Sequence, residues 1–300
     1  YIFQKKKMFS RFFLFFLLYI PLLQAQSWKP IEGKIMSKWS KTITPENVWQ
    51  EYPRPQFERT QWKNLNGLWD FSVSKGNQIQ PKQYKGKILV PFSFESPLSG
   101  VGKGINPEDK MWYRKSFKLP NKWSGDDVII HFEAVDYHST IWVNDILVGT
   151  HKGGFDRFSF NITPYLKPEG LQKIVLSVED ASNFSSQPRG KQQINASGIY
   201  YTPVSGIWQT VWLEAVSSEA YLKQVRITSD IDNSKVNLIP LSNVPLIRGY
   251  QVAVDVFLDG KKVASGKTKP DTPMHLKIEN AHLWSPDHPH LYDVKINLNN

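Results

Sequence analysis

The sequence contains no cysteine among its 300 residues, which excludes disulfide bonds and a lipid-modified cysteine after a leader. No stretch after residue 26 is apolar enough to cross a membrane, because a spanning helix needs about 20 apolar residues. No segment keeps a helical period between two capping signals. The 37 Lys and Arg residues outnumber the 27 Asp and Glu residues, but they are scattered among the acids, so nucleic-acid binding is not expected.

The first 26 residues have the pattern of a secretory signal peptide. Basic residues at positions 5–7 and 11 precede an apolar run at 12–23, and Ala25 supplies a small residue for cleavage. The run is shorter than a membrane span, although an uncleaved anchor is the alternative. We therefore expect an exported protein, periplasmic or extracellular, that is free of the membrane once the leader is removed.

Short runs rich in Val, Ile, Phe and Trp, separated by Gly, Asn, Asp and Pro, predict an all-β protein. The clearest predicted strands are residues 127–132, 139–143, 146–150, 173–178 and 210–214. Asn144-Asp145 and Asp259-Gly260 each stand between two apolar runs. They predict two-residue hairpin turns, because these residue types tolerate a positive φ.

Residues 198–214 hold the most informative pattern of the chain. Turn formers and two tyrosines fill the first half, and residues 207–213 alternate as a strand does. The segment predicts a loop that leads directly into a buried strand. Its aromatic side chains suit both core packing and the flat faces of sugar rings.

Composition changes near residue 218, since ten of the eleven tryptophans precede that point. We predict a signal peptide at 1–26, an extended N-terminal arm at 27–51, a larger sandwich such as a jelly roll at 52–217, and an immunoglobulin-like β-sandwich at 218–300. The chain stops on Asn299-Asn300 with no terminal signal, so we expect the N-terminal portion of a longer protein.

Eight segments follow one another in an order and spacing typical of one family. They are residues 65–71, 90–98, 112–117, 132–144, 153–158, 161–166, 205–214 and 283–292. The seventh is Ser-Gly-Ile-Trp-Gln-Thr-Val-Trp-Leu-Glu. Together they resemble glycoside hydrolase family 2, which comprises β-galactosidases, β-glucuronidases and β-mannosidases, over roughly residues 52–300.

The resemblance implies a jelly-roll sugar-binding domain, an immunoglobulin-like domain and then a (β/α)8 barrel. The family's barrel carries both catalytic glutamates, an acid/base and a nucleophile, which lie about 5–5.5 Å apart in retaining enzymes. We expect them beyond Asn300, so no catalytic residue is assigned here and the fragment alone should be inactive. No cofactor is expected, although some members use a divalent ion in the barrel. His282, His288 and His290 lack a further ligand at recognisable spacing, so no zinc site is predicted.

Candidate substrate contacts lie in the loop before Ser205-Gly206. Many family members carry a carboxylate five residues before this pair, whereas this sequence has Tyr200. Tyr200 and Tyr201 are candidates for stacking on a sugar or donating a hydroxyl hydrogen bond, with packing as the alternative.

Four charged residues are further substrate-binding candidates. Arg189 and Lys191 suit a carboxylated sugar or a contact with the barrel, and Glu95 and Asp156 are loop acids expected at the rim of the pocket. Solvated surface charge is the alternative for each. Asp136, between two predicted strands, is interpreted as a turn cap.

The sequence therefore favours the N-terminal fragment of a retaining β-glycosidase that acts on terminal β-linked sugars of oligo- or polysaccharides. β-Galactosidase is the favoured activity, with β-glucuronidase and β-mannosidase as alternatives. A non-catalytic carbohydrate-binding module and a structural β-sandwich protein are alternatives of another class. The expected partner is a carbohydrate substrate, and homo-oligomerisation stays open.

Overall fold

The computed structural model describes residues 28–76, 78–244 and 249–300, so the predicted leader lies outside the described residues. Within these ranges the fold is all-β, as predicted, with 18 strands. Helix is confined there to five 3₁₀ segments: Lys38–Thr42, Pro97–Ser99, Asn121–Trp123, Thr163–Tyr165 and Ser182–Phe184. None of the described helices has the length and hydropathy that a membrane crossing requires.

Twelve strands build the first part of the chain. They are β1 (Trp62–Asn64), β2 (Gly67–Lys75), β3 (Gly86–Val90), β4 (Asp109–Phe117), β5 (Asp127–Phe132), β6 (Val135–Asp136), β7 (His138–Val143), β8 (Ile146–Lys152), β9 (Phe158–Asn161), β10 (Gln172–Glu179), β11 (Gly206–Ile207) and β12 (Val211–Val216). They form a four-stranded sheet in the order β1-β12-β5-β9, a six-stranded sheet in the order β3-β2-β4-β10-β7-β8, and the short pair β11-β6. All pairings between these strands are antiparallel.

One hydrophobic core joins the two larger sheets. Ile130 and Leu213 enter it from the four-stranded sheet, and Met111 and Leu176 enter it from the six-stranded sheet. Burying a side chain of this size contributes about 1.5–3 kcal/mol relative to leaving it exposed. The sheets are thereby fixed face to face, which holds the connecting loops at defined positions at their ends.

Six further strands form the second sandwich. They are β13 (Leu222–Asp230), β14 (Lys235–Ser242), β15 (Gln251–Leu258), β16 (Lys261–Thr268), β17 (Met274–Lys277) and β18 (Asp293–Asn299). Two three-stranded sheets, β13-β14-β17 and β16-β15-β18, enclose a separate core to which Val252, Val254 and Val256 contribute. Alternate residues of β15 are buried, as the period of a half-buried strand requires.

Both predicted hairpin turns are confirmed. Asn144 and Asp145 connect β7 to β8 with φ values of 50° and 70°, and Asp259 and Gly260 connect β15 to β16 with 49° and 75°. The single strand predicted at 207–213 is wrong, because residues 208–210 interrupt it between β11 and β12. At this break the chain passes from the short pair β11-β6 to the four-stranded sheet.

The segment before β1 lies along the loop after β3. The indole of Trp28 donates to the Leu98 carbonyl at 3.1 Å, and the Ile31 amide donates to the Pro97 carbonyl at 3.0 Å. The predicted domain boundaries and the jelly-roll connectivity stay predictions.

Candidate functional site

One end of the first sandwich brings together, around Ser205-Gly206, the loop after β3, the loop after β8 and the loop at 181–204. Gly206 pairs with Asp136 across β11 and β6. Its φ is +84°, and a Cβ there would overlap the hydroxyl of Tyr113. Only glycine meets both conditions without strain, since L-residues avoid this region of φ. The Ser-Gly pair of the signature segment is therefore fixed by packing.

Asp180 closes the long loop that carries the candidate tyrosines. Its Oδ2 accepts a hydrogen bond from the Ser205 hydroxyl at 2.6 Å. Its Oδ1 accepts one from the Ser182 amide and one from the Gln187 side-chain amide, each at 2.7 Å. Because Asp180 precedes residues 181–204 and Ser205 follows them, a single buried carboxylate, 1% exposed, ties both ends of the loop.

Glu95 meets the same serine from the loop after β3. The Ser205 amide donates to Glu95 Oε2 at 2.9 Å, and the Phe94 amide donates to the Ser205 carbonyl at 3.1 Å. Glu95 is only 6% exposed, and its Oε1 is buried without a hydrogen-bond partner. The solvated surface position considered for Glu95 is therefore wrong, because this side chain is enclosed by protein.

Asp136 is the third buried acid of this end. It is 2% exposed, and its Oδ1 has no hydrogen-bond partner. A Cβ at Gly154 would lie 2.5 Å from its Cγ, so the carboxyl packs directly against the backbone of the loop after β8. No backbone amide of the described ranges donates to this carboxyl, so its interpretation as a turn cap is wrong.

The three acids form a buried group without a neighbouring cation. None of the ion pairs between described residues includes Glu95, Asp136 or Asp180. Burial, with a smaller contribution from the nearby Asp180 charge, raises the pKa of Glu95 from 4.5 to about 7. Burial first, and then the charges of Asp180 and Glu95, raise the pKa of Asp136 from 3.8 to about 7. Desolvation and repulsion between like charges both favour the protonated carboxyl.

Tyr200 and Tyr201 lie together on the exposed part of the 181–204 loop. Their exposed fractions are 42% and 66%. The Tyr201 amide donates to the Lys191 carbonyl at 2.9 Å, and the Gln193 amide donates to the Tyr201 carbonyl at 2.9 Å. Other exposed apolar side chains of this loop and of the loop after β8 are Phe155, Phe184 and Ile199. The loop thus exposes aromatic side chains, while hydrogen bonds within the loop hold its backbone in place.

The other predicted contacts are spread around this loop. Arg189 Nε donates to the Gln192 carbonyl at 3.2 Å, and Lys191 is exposed. The Asp156 side chain is 66% exposed, with Oδ2 at 3.4 Å from His151 Nε2. The structure brings Arg189 and Lys191 into the loop of the tyrosines, whereas Asp156 stays outside the buried acid group.

Sequence reasoning missed Asp180 and the role of Ser205. The available signal was an acid two residues after the predicted strand 173–178, at the start of a long polar loop. Its partner Ser205 is 25 residues away, and Glu95 is 110 residues from the same serine. Across the described ranges, no group of three or more His, Cys, Asp or Glu side chains has an arrangement suited to a metal ion.

This geometry defines what the end of the sandwich can do. The three carboxyls are shut off from solvent, so in this arrangement they cannot protonate or attack a sugar. Asp180 directly, and Glu95 through Ser205, anchor the loop that carries Tyr200 and Tyr201. The site is therefore suited to positioning an aromatic binding surface.

Two family models match consecutive parts of the chain. The model described as "Glycosyl hydrolases family 2, sugar binding domain" matches residues 90–213, and the model described as "Glycosyl hydrolases family 2" matches residues 215–300. Together they cover most of both sandwiches.

Curated relatives carry two different activities. A β-galactosidase of Thermoanaerobacter pseudethanolicus is 29% identical over 199 residues, which are 62% of this chain and 26% of the relative. A β-glucuronidase of Paenibacillus borealis is 25% identical over 255 residues, which are 79% of this chain and 42% of the relative. The chain thus spans less than half the length of these relatives.

Solved structures share the fold. A β-glucuronidase from Ruminococcus gnavus superposes with a TM-score of 0.64 at 20% identity, over 83% of this chain and 44% of that chain. The two consecutive family matches and the sandwich fold lead to one conclusion: the chain belongs to glycosyl hydrolase family 2.

Proposed function

We propose that this chain is the N-terminal part of an exported, retaining β-glycosidase that removes terminal β-linked sugars, with β-galactosidase as the favoured activity. The observation that carries the proposal is the series of two family-2 matches in a chain that spans 26% and 42% of two glycosidase relatives. The burial of Glu95, Asp136 and Asp180 is consistent with catalytic carboxyls elsewhere.

In this proposal the two sandwiches support a catalytic barrel that follows residue 300. Two glutamates of the barrel act as acid/base and nucleophile, and water is the final acceptor. The described residues contribute one wall of the substrate pocket. Tyr200 and Tyr201 offer aromatic faces and hydroxyl donors to the sugar, which suits a ligand with both C–H faces and hydroxyl groups.

The first test uses the full-length protein and chromogenic substrates. We expect p-nitrophenyl β-D-galactopyranoside to be hydrolysed with a higher kcat/KM than the matching β-D-glucuronide and β-D-mannopyranoside. NMR of the first-formed product should show retention of the β configuration, because a glycosyl-enzyme intermediate inverts the anomeric centre twice. Absence of hydrolysis of any β-glycoside, together with retained binding to a polysaccharide, would instead support a carbohydrate-binding module.

β-Glucuronidase is the second candidate activity. Arg189 and Lys191 lie in the same loop as the tyrosines, where an acid of many family members is replaced by Tyr200. A guanidinium and an ammonium group suit the carboxylate of a uronic acid. A higher kcat/KM for the β-glucuronide in the same assay would select this candidate.

A further inference from the structure

We propose that Glu95, Asp136 and Asp180 are positioning residues that form a proton-dependent clamp on loop 181–204, and that the clamp sets the position of Tyr200 and Tyr201 in the substrate pocket. The role of the tyrosines rests on the proposed function. The clamp itself rests on contacts within the described residues and is tested separately.

The three carboxyls converge on two consecutive residues. Glu95 and Asp180 both bind Ser205, through its amide and its hydroxyl respectively. Asp136 stands opposite the next residue, Gly206, in the β11-β6 pair. Three acids from three separate parts of the chain therefore meet where the loop re-enters the sandwich.

The clamp also reaches into the loop. Asp180 binds Gln187, and the Gln192 side chain accepts a hydrogen bond from the Val204 amide at 2.5 Å. Asp136 is joined to the end of the loop through the pairing of β6 with Gly206. Asp180 is thus linked to the loop by direct hydrogen bonds, Glu95 acts through Ser205, and Asp136 acts through the β6 strand that pairs with Gly206. A change in the charge of the acids is transmitted to the loop through these contacts.

The groups that face the three acids carry no positive charge that would balance ionised carboxylates. The ionisable neighbour on β4 is the buried Tyr113, whose own pKa is raised by burial and by Glu95. The loop after β8 contributes the Gly154 backbone, while Asp156 and His151 of that region face each other at 3.4 Å. From the 181–204 loop the contacts are two neutral donors to Asp180, the Ser182 backbone amide and the Gln187 side-chain amide. Ionising Glu95 and Asp136 would place like charges in a buried environment without a paired cation, which is strongly unfavourable.

The direction of the pH dependence follows from this geometry. A carboxyl that is harder to ionise in the folded state binds more protons there than in the unfolded state. The stability it contributes is present at low pH and is lost as the pH rises through the folded-state pKa. With the pKa values of Glu95 and Asp136 near 7, the loop should be held firmly in mild acid and loosened above neutrality.

The test is hydrogen–deuterium exchange of the full-length protein between about pH 5 and pH 8.5, corrected for the intrinsic pH dependence of amide exchange. The reporter amides are those of Ile194, Tyr201, Val204 and Ser205, which are hydrogen-bonded within the loop or to the clamp. We expect their protection to fall at least about tenfold over this range, since one pKa unit corresponds to a tenfold change. Amides of β15 serve as an internal reference and should keep constant protection.

Charge-removing variants identify the cause. Glu95→Gln together with Asp136→Asn keeps the shape of both side chains and should make the loop protection independent of pH. The matched control is Asp145→Asn, which removes an acid that is 64% exposed in the β7–β8 turn and should keep the wild-type pH dependence. If the double variant does not fold, the pH dependence of loop protection in the wild type, compared with that of the β15 amides, still tests the clamp.

Two results would overturn the clamp: constant loop protection in the wild type, or an unchanged pH dependence in the folded double variant. In the wild type, KM for the best-hydrolysed chromogenic glycoside should rise above neutral pH with the loss of protection. Exchange that follows the prediction while no glycoside is hydrolysed supports the clamp and rejects the proposed function. Hydrolysis of a β-glycoside together with pH-independent exchange supports the proposed function and rejects the clamp.

Discussion

At the scale of single residues, Gly206 shows how strongly packing constrains the signature segment 205–214. Its positive φ places the chain over Tyr113, whose hydroxyl fills the space that a side chain would need. Ser205, directly before it, uses both its amide and its hydroxyl to bind buried carboxylates. Two adjacent small residues are therefore required by the surrounding core and loops.

The first residue-scale prediction concerns Gly206→Ala. Left-handed backbone costs about 1–2 kcal/mol for an L-residue and overpacking adds about 1–3 kcal/mol, so we expect a loss of about 3 kcal/mol in the free energy of unfolding. Denaturant unfolding followed by tryptophan fluorescence measures it, because ten of the eleven tryptophans precede residue 218.

The matched control for that variant is Gly125→Ala. Gly125 also has a positive φ, +90°, but no atom lies within 4 Å of the position its Cβ would take. Gly125→Ala should therefore lower the free energy of unfolding only by the cost of the left-handed backbone, about 1–2 kcal/mol. Equal losses in the two variants would show that the contact with Tyr113 has no influence on stability.

At the scale of elements, Glu214 on β12 joins the two sandwiches. This buried carboxylate pairs with Arg54 at 2.9 Å, Arg59 at 2.8 Å and His131 at 3.0 Å. Arg59 also donates to the Leu222 carbonyl at the start of β13. The same arginine thus contacts the last strand of the first sandwich and the first strand of the second.

The pH dependence at this junction should have the opposite sign to that of the clamp. Although burial opposes ionisation, the His131 hydrogen bond and the two arginines lower the pKa of Glu214 from 4.5 to about 2. A lowered folded-state pKa gives stability that is present above about pH 4.5 and lost as the pH falls towards 2. We expect the loss to be on the order of 3 kcal/mol, measured by denaturant unfolding at several pH values.

Glu214→Gln should lower stability at neutral pH and reduce this acid-dependent loss. Glu179→Gln is a suitable control, because that acid is 42% exposed and its ion pairs with Lys110 and His138 lie at the surface. Exposed pairs contribute about 0–1 kcal/mol. An unchanged acid-dependent loss in Glu214→Gln would show that other groups cause it.

Local patterns predicted the elements well, and long-range contacts account for what they missed. Strand β5 was predicted with its observed bounds, and both hairpins were found, because alternation and turn residues are local signals. Glu95 was selected as a loop acid, but its burial depends on Ser205, which is 110 residues away. The break after Ile207 has a similar cause, since the Trp208 amide donates to Ala134 on the neighbouring segment.

At the scale of the whole molecule, the predicted leader bears on where the protein works. We propose that residues 1–26 direct export and are then removed. Immunodetection in cell fractions should find the protein in the periplasm or the medium, and mass spectrometry should show a mature chain that begins near Ser27. Deletion of residues 1–26 should retain the protein in the cytoplasm. A full-length mass in the membrane fraction would instead indicate an uncleaved anchor.

The hydrogen bond between Asp180 and Ser205 has a consequence for protein engineering. Because one side chain holds both ends of loop 181–204, the intervening residues can be exchanged as a cassette whose anchoring points belong to the scaffold. Transplanting the corresponding loop of a relative would then alter the binding surface while leaving the signature segment intact. The signature segment would then identify the family, whereas the sequence of loop 181–204 would determine the substrate preference.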